Sequence, residues 1–84
     1  MFVVVSYDIK SDTRRNKVCN ELKNYGKHVQ YSVFECDLSM AQIKKLQSEL
    51  GRIIHKRQDS IRYYYLCNSC LKKLLIQGKK SFLE

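Results

Sequence analysis

The sequence predicts an α+β fold, a ferredoxin-like βαββαβ sandwich, and three observations predict it. Short β-branched apolar runs alternate with segments whose apolar residues recur at helical spacing. The connections are short, and right-handed crossovers make a split βαβ sandwich the simplest arrangement of such elements. The chain has 84 residues with no proline and three glycines, so it carries no linker and makes one domain, 1–84. Both helices then lie on one sheet face. The other face is left open, and so small a chain gains stability by covering it with a second copy; a homodimer is expected.

The elements follow in order. Residues 2–7 read as a strand buried on both faces. Asp12 or Thr13 is the expected N-cap of a first helix carrying Val18, Leu22 and Tyr25 on its apolar side. Gly26 is expected to close that helix as its left-handed residue. Arg14, Arg15 and Lys17 fall on the exposed side of the first turn, where their charge opposes the helix dipole and an anion would offset the cost. Residues 28–36 are extended by composition, and a break in alternation between Val33 and Phe34 predicts a kink, bulge or tight turn. Ser39-Met-Ala-Gln42 has the capping-box pattern, and Ile43, Leu46, Leu50, Ile53 and Ile54 trace one face of a second helix. Gly51 within it costs about 1 kcal/mol relative to alanine and predicts a frayed last turn. Residues 55–60 read as a loop, 61–66 as a strand with three tyrosines, and 74–77 as an optional short C-terminal strand.

Composition narrows the partners. Lys and Arg number 16 against 8 Asp and Glu, a net charge of +8, which favours a polyanion such as nucleic acid because bound cations release counterions from phosphates. Hydrophobic residues at 44% and charged residues at 29% exclude wholesale disorder. No apolar run approaches the ~20 residues that span a bilayer, and residues 2–5 are too short for a signal peptide, so a cytoplasmic protein with no membrane partner is expected. Cys67-Asn-Ser-Cys70 has knuckle spacing without a second ligand pair. With Cys19 and Cys36 these read as free thiols, Cys67 and Cys70 able to bond to each other on oxidation.

Asp8, immediately after the first strand and before a basic helix start, is the residue best placed for chemistry. It reads either as a turn cap or as a ligand for a hard divalent cation, a role for which one carboxylate is poor and two copies across a two-fold axis are adequate. Asp12 is explained as a cap. Glu35 and Asp37 share one side of a strand and read as solvated carboxylates, with metal ligation the alternative, and neither His28 nor His55 has a partner that suggests nucleophilic catalysis. Of Tyr63, Tyr64 and Tyr65, at least one packs into the core or an interface, and another is available to stack on a base.

Val3-Val-Val-Ser-Tyr-Asp8-Ile, Arg14-Arg15-Asn-Lys-Val18, Leu22, Tyr25-Gly26, Val29-Gln-Tyr-Ser-Val-Phe-Glu-Cys36 and Leu66-Cys67-Asn-Ser-Cys70, in that order, closely resemble the small dimeric CRISPR-associated adaptation proteins, the Cas2 family. The likeness covers nearly the whole chain. It implies a ferredoxin-fold homodimer with sheets packed face to face. It implies a shared divalent-metal site, of magnesium type, to which Asp8 contributes once per subunit as catalytic ligand. Endonuclease activity on single-stranded RNA, and on DNA for some members, comes with the resemblance. So does a role in spacer acquisition beside an integrase-type CRISPR nuclease partner, in which the small subunit can act as a double-stranded DNA scaffold. On the same basis Arg14 and Arg15 become phosphate contacts, while Tyr7, Ser32 and Phe34 shape the cleft. Many relatives carry arginine before the Val-Gln-Tyr-Ser stretch, where this chain has Lys27-His28. Lys27 then stands in for the fixed charge, and a phosphate contact through His28 would strengthen on mild acidification, since a histidine is mostly neutral at pH 7. Residues 72–84 are left open between return to the sheet, crossing to the other protomer and docking the integrase, with Lys79 and Lys80 suited to a phosphate.

Overall fold

Seven elements make up the computed structural model, which describes residues 1–78: β1 (Phe2–Asp8), α1 (Asp12–Leu22), β2 (Gly26–Gln30), β3 (Val33–Asp37), α2 (Met40–Gly51), β4 (Ser60–Leu66) and α3 (Asn68–Lys72). The strands form one antiparallel sheet in the order β2-β3-β1-β4. With β1 at the centre, Val4 lies opposite Glu35 on one side and Tyr64 on the other, and Ser6 opposite Val33 and Arg62.

Period-two alternation sorts the side chains of this sheet. Val3, Val5 and Tyr7 of β1 and Phe34 and Cys36 of β3 face the helices and are buried. There they meet Val18 and Leu22 of α1 and Ile43, Leu46 and Leu50 of α2, all within one core. Each fully buried aliphatic side chain of this kind contributes roughly 1.5–3 kcal/mol. Phe2, Val4 and Ser6 point the other way and are only half-buried, so the chain by itself does not bury β1 on both faces.

The capping box of α2 is present: Ser39 Oγ accepts from Gln42 N–H, and the Gln42 side chain accepts from Ser39 N–H. The first helix starts differently from expectation. Its N-cap is Ser11, whose Oγ accepts from Arg14 N–H at 3.3 Å. Asp12 is the first helical residue and pairs with Arg15 one turn on rather than capping. Gly26 also has another role than the one its position suggests. The chain leaves α1 through right-handed Lys23, and Gly26 opens β2 without a positive φ. Glycine is required there because a Cβ would run into Cys36 Sγ and the Glu35 carbonyl oxygen.

The extended stretch does split in two. Tyr31 and Ser32 turn the chain between β2 and β3, and the register slips between His28 and Gln30. Helix α2 ends at Gly51, short of Ile53 and Ile54, yet both isoleucines still pack against the core. The optional strand at 74–77 does not form. After β4 the chain turns into α3 with Cys67 as N-cap, and residues 74–77 pair with no strand among the described residues. Lys79 and Lys80 lie outside the described residues.

Candidate functional site

Asp8 is the last residue of β1 and follows buried Tyr7, so alternation sends its carboxylate to the uncovered sheet face. Its side chain is 70% exposed, and both oxygens lie 3.3 Å from Lys10 Nζ. Across the ladder it is opposite Ser60. The two strands frame a hollow of about 210 Å³ lined by Ser6, Tyr7, Asp8, Ser60, Arg62 and Tyr64. Within it Arg62 Nη1 donates to the Tyr64 hydroxyl at 3.5 Å, and the Tyr64 ring is half exposed. A carboxylate, a serine hydroxyl, a guanidinium and an aromatic ring thus share one face. The carboxylate can bind a hard cation, the hydroxyl and the guanidinium a phosphate oxygen, and the ring a base.

Sequence reasoning missed Ser60, Arg62 and Tyr64 as a set. The signal was the alternation of β4, which becomes informative only once its register against β1 is known. The other acids of this face stand apart from the hollow. Asp37 lies opposite Phe2 and pairs with the N-terminal amine, at roughly 20 Å along the strand from Asp8. Glu35 lies opposite Lys27 and Val4, so Lys27 also belongs to the open face. Among the described residues no group of three or more His, Cys, Asp or Glu side chains is arranged to hold a metal ion. One chain brings one carboxylate to the hollow.

The two arginines are placed by internal acids. Arg14 Nε donates to Asp59 Oδ2 at 2.7 Å, and its Nη2 donates to Asp59 Oδ1 at 3.1 Å and to Gln58 Oε1 at 3.2 Å. Asp59 is buried, and it also accepts from Lys10 N–H at 3.0 Å and His55 N–H at 2.8 Å. The Arg14 guanidinium, helped by these two amides, holds the Asp59 carboxyl well below the usual carboxylate range. Arg15 donates to Asp12 and, at 2.8 Å, to the Ile9 carbonyl, with about a quarter of its side chain exposed. Nothing local in residues 55–60 marks Asp59 as the partner of a residue 45 positions away.

Tyr7, Ser32, Phe34 and His28 do come together, at the β2–β3 turn. The Tyr31 carbonyl accepts from the Tyr7 hydroxyl at 3.4 Å and lies 2.9 Å from His28 Nε2, while Tyr7 N–H donates to the Ser32 carbonyl at 3.1 Å. His28 stacks on Phe34 with ring centroids 4.5 Å apart and nearly parallel. Burial raises the Tyr7 phenol well above its ordinary range, so it acts here as a neutral donor. Phe34 has no exposed surface, and any shape it gives to a cleft comes through the rings packed on it.

Comparison with known proteins matches residues 1–74 to the family described as "CRISPR associated protein Cas2". A Synechocystis protein described as "CRISPR-associated endoribonuclease Cas2 3" is 43% identical over 76 residues, covering 90% of this chain and 83% of the relative. A Chloroflexus aurantiacus protein with the same description is 46% identical over 78 residues, covering 93% of this chain and 84% of the relative. Among solved structures, Streptococcus pyogenes Cas2 superposes with a TM-score of 0.81 at 32% identity, over 93% of this chain and 100% of that one. Among the described residues no helix is long and apolar enough to cross a membrane.

Proposed function

The chain belongs to the Cas2 family of CRISPR-associated proteins, and from that premise we propose that it acts in spacer acquisition as a cytoplasmic homodimer. In this reading it is a divalent-metal-dependent endonuclease on RNA or DNA phosphodiesters, working beside an integrase-type CRISPR nuclease subunit. The observation that carries the reading is the position of Asp8: exposed, at the end of the central strand, on the sheet face that the chain's own helices do not cover.

A face-to-face second copy brings a second Asp8 to the same axis and makes the donor set one of hard oxygens suited to magnesium. The ion, when bound, supplies polarisation of the phosphodiester and a lowered pKa for an attacking water. The chain's residues do the rest. Lys10 releases Asp8 to the cation, Arg62 takes a non-bridging phosphate oxygen, and Tyr64 offers its ring to a base. Arg15, Lys27 and His28 are the further phosphate contacts in this reading. Arg14 supports the loop from below through Asp59.

The substitution Asp8→Asn tests this. It is expected to abolish magnesium-dependent cleavage of single-stranded RNA and of DNA, with duplex binding unchanged or slightly tighter because a negative charge is gone. Cleavage at the wild-type rate would remove Asp8 from the chemistry. A wild type that binds duplex DNA but cleaves nothing, with or without magnesium, would favour the second reading. That reading is a non-catalytic double-stranded DNA scaffold for the integrase, supported by the net charge of +8.

A further inference from the structure

The four cysteines fall into two unlike pairs. Cys36 is fully buried, and burial pushes its thiol up to about 11. Cys19 is half-buried against the core. Cys67 and Cys70 are both exposed, and they sit three residues apart at the start of α3, which follows β4.

Their local geometry is that of a dithiol. Cys67 is the N-cap of α3, with extended backbone, and its Sγ accepts from Cys70 N–H at 3.4 Å. Residues three apart on a helical turn lie about 5–6 Å from each other, a separation that a disulfide spans. The Cys70 backbone amide, and then its thiol, donate to Cys67 Sγ and draw Cys67 below the ordinary thiol range. The same thiol contact and the negative charge it favours on Cys67 raise Cys70. The two sulfurs are therefore unequal: one is a better thiolate, and the other is its hydrogen-bonded neighbour. Lys72 and Lys73 follow on exposed positions and suit an anionic thiol reagent.

We propose that Cys67 and Cys70 form a redox-active pair that exchanges with small-molecule disulfides of the glutathione class, Cys67 attacking and Cys70 resolving. In the first step the Cys67 thiolate attacks one sulfur of the disulfide. A bond forms from Cys67 Sγ to one glutathione sulfur, and the other glutathione leaves as thiolate. In the second step Cys70 gives its proton to solvent and attacks Cys67 Sγ, which closes the Cys67–Cys70 bond and expels the second glutathione thiolate. Two protein thiols are oxidised and one disulfide is reduced to two thiols. The closed bridge pins the first turn of α3 and with it the direction in which the chain leaves β4.

The test is to treat the folded full-length protein with oxidised glutathione and follow it by intact-mass spectrometry and peptide mapping. Wild type is expected to end lighter by two hydrogens, bridged between Cys67 and Cys70, with Cys19 and Cys36 unmodified. Cys70→Ala is expected to stop with one glutathione held on Cys67. Cys67→Ala is expected to react at Cys70 at least ~2-fold more slowly, because no backbone amide comparable to the one Cys67 accepts from assists Cys70. A lasting glutathione adduct on wild type, equal rates in the two variants, or a disulfide between two chains would overturn the proposal. So would thiols that react only after a chelator is added, because the pair would then be a metal ligand. Circular dichroism of each variant guards against loss of the fold as the cause.

Discussion

Two aspartates flank Lys10, and they differ in almost every physical respect. Asp59 is buried and accepts four hydrogen bonds, two from the Arg14 guanidinium and two from the backbone amides of Lys10 and His55. Asp8 is 70% exposed, and among the described residues its ion-pair partner is the Lys10 ammonium. Lys10 serves both, its main chain turned to Asp59 and its side chain to Asp8. The first carboxylate is fixed, charged and saturated, and so it stabilises the loop. The second is held by one contact in water, of a kind that contributes little stability and is easily exchanged for a cation. Order in the sequence does not predict this division, because the arginine nearest to Asp8 in the chain serves the distant acid.

The sharpest way to break the comparison is Arg14→Ala. It strands a buried carboxylate, and a loss of ~10 °C or more in Tm is expected, where a loss below ~2 °C would show that Asp59 is not held as described. Acid titration of stability comes next. The Asp59 carboxyl is depressed in the folded protein, so its stabilisation is fully present above the ordinary carboxylate range and is lost as pH falls through and below about pH 4. Asp59→Asn is therefore less stable than wild type at neutral pH, and denaturation curves at decreasing pH are expected to show that gap narrowing. Lys10→Ala is the smallest change. It removes the partner of Asp8 but keeps the amide for Asp59, and Tm is expected to move by no more than ~3 °C. If Lys10→Ala matches Arg14→Ala in effect, the distinction between the two acids fails.

Much of the fold could be read before its register was known. The apolar run of β1, the capping box at Ser39 and the break in the extended stretch are local signals, and each marks an element or a turn of the structure, although β1 is buried by this chain on one face only. The failures are also physical. Ser11, Asp12 and Thr13 are all competent caps, and only the backbone at Ser11 turns its oxygen onto Arg14 N–H. Gly26 looked like a helix stop because glycine often is one, while its true constraint is the approach of a neighbouring strand that no local pattern encodes. The short helix at Asn68–Lys72 gives no signal in advance, since five residues carry too little periodicity to declare themselves, and the strand expected at 74–77 does not form. At the site, Asp8 was legible from its place after an apolar strand, whereas Arg62 and Tyr64 needed the pairing of β4 to β1, and Asp59 needed the loop to close over Arg14.

The amide of residue 10 has a consequence for redesign. Every amino acid except proline brings that N–H to position 10, so the buried acid is indifferent to which side chain stands there. The rim of the hollow can thus be recharged from positive to neutral to negative while the loop beneath it keeps its scaffold. Proline alone would couple the two, silencing a donor and disturbing both acids at one stroke.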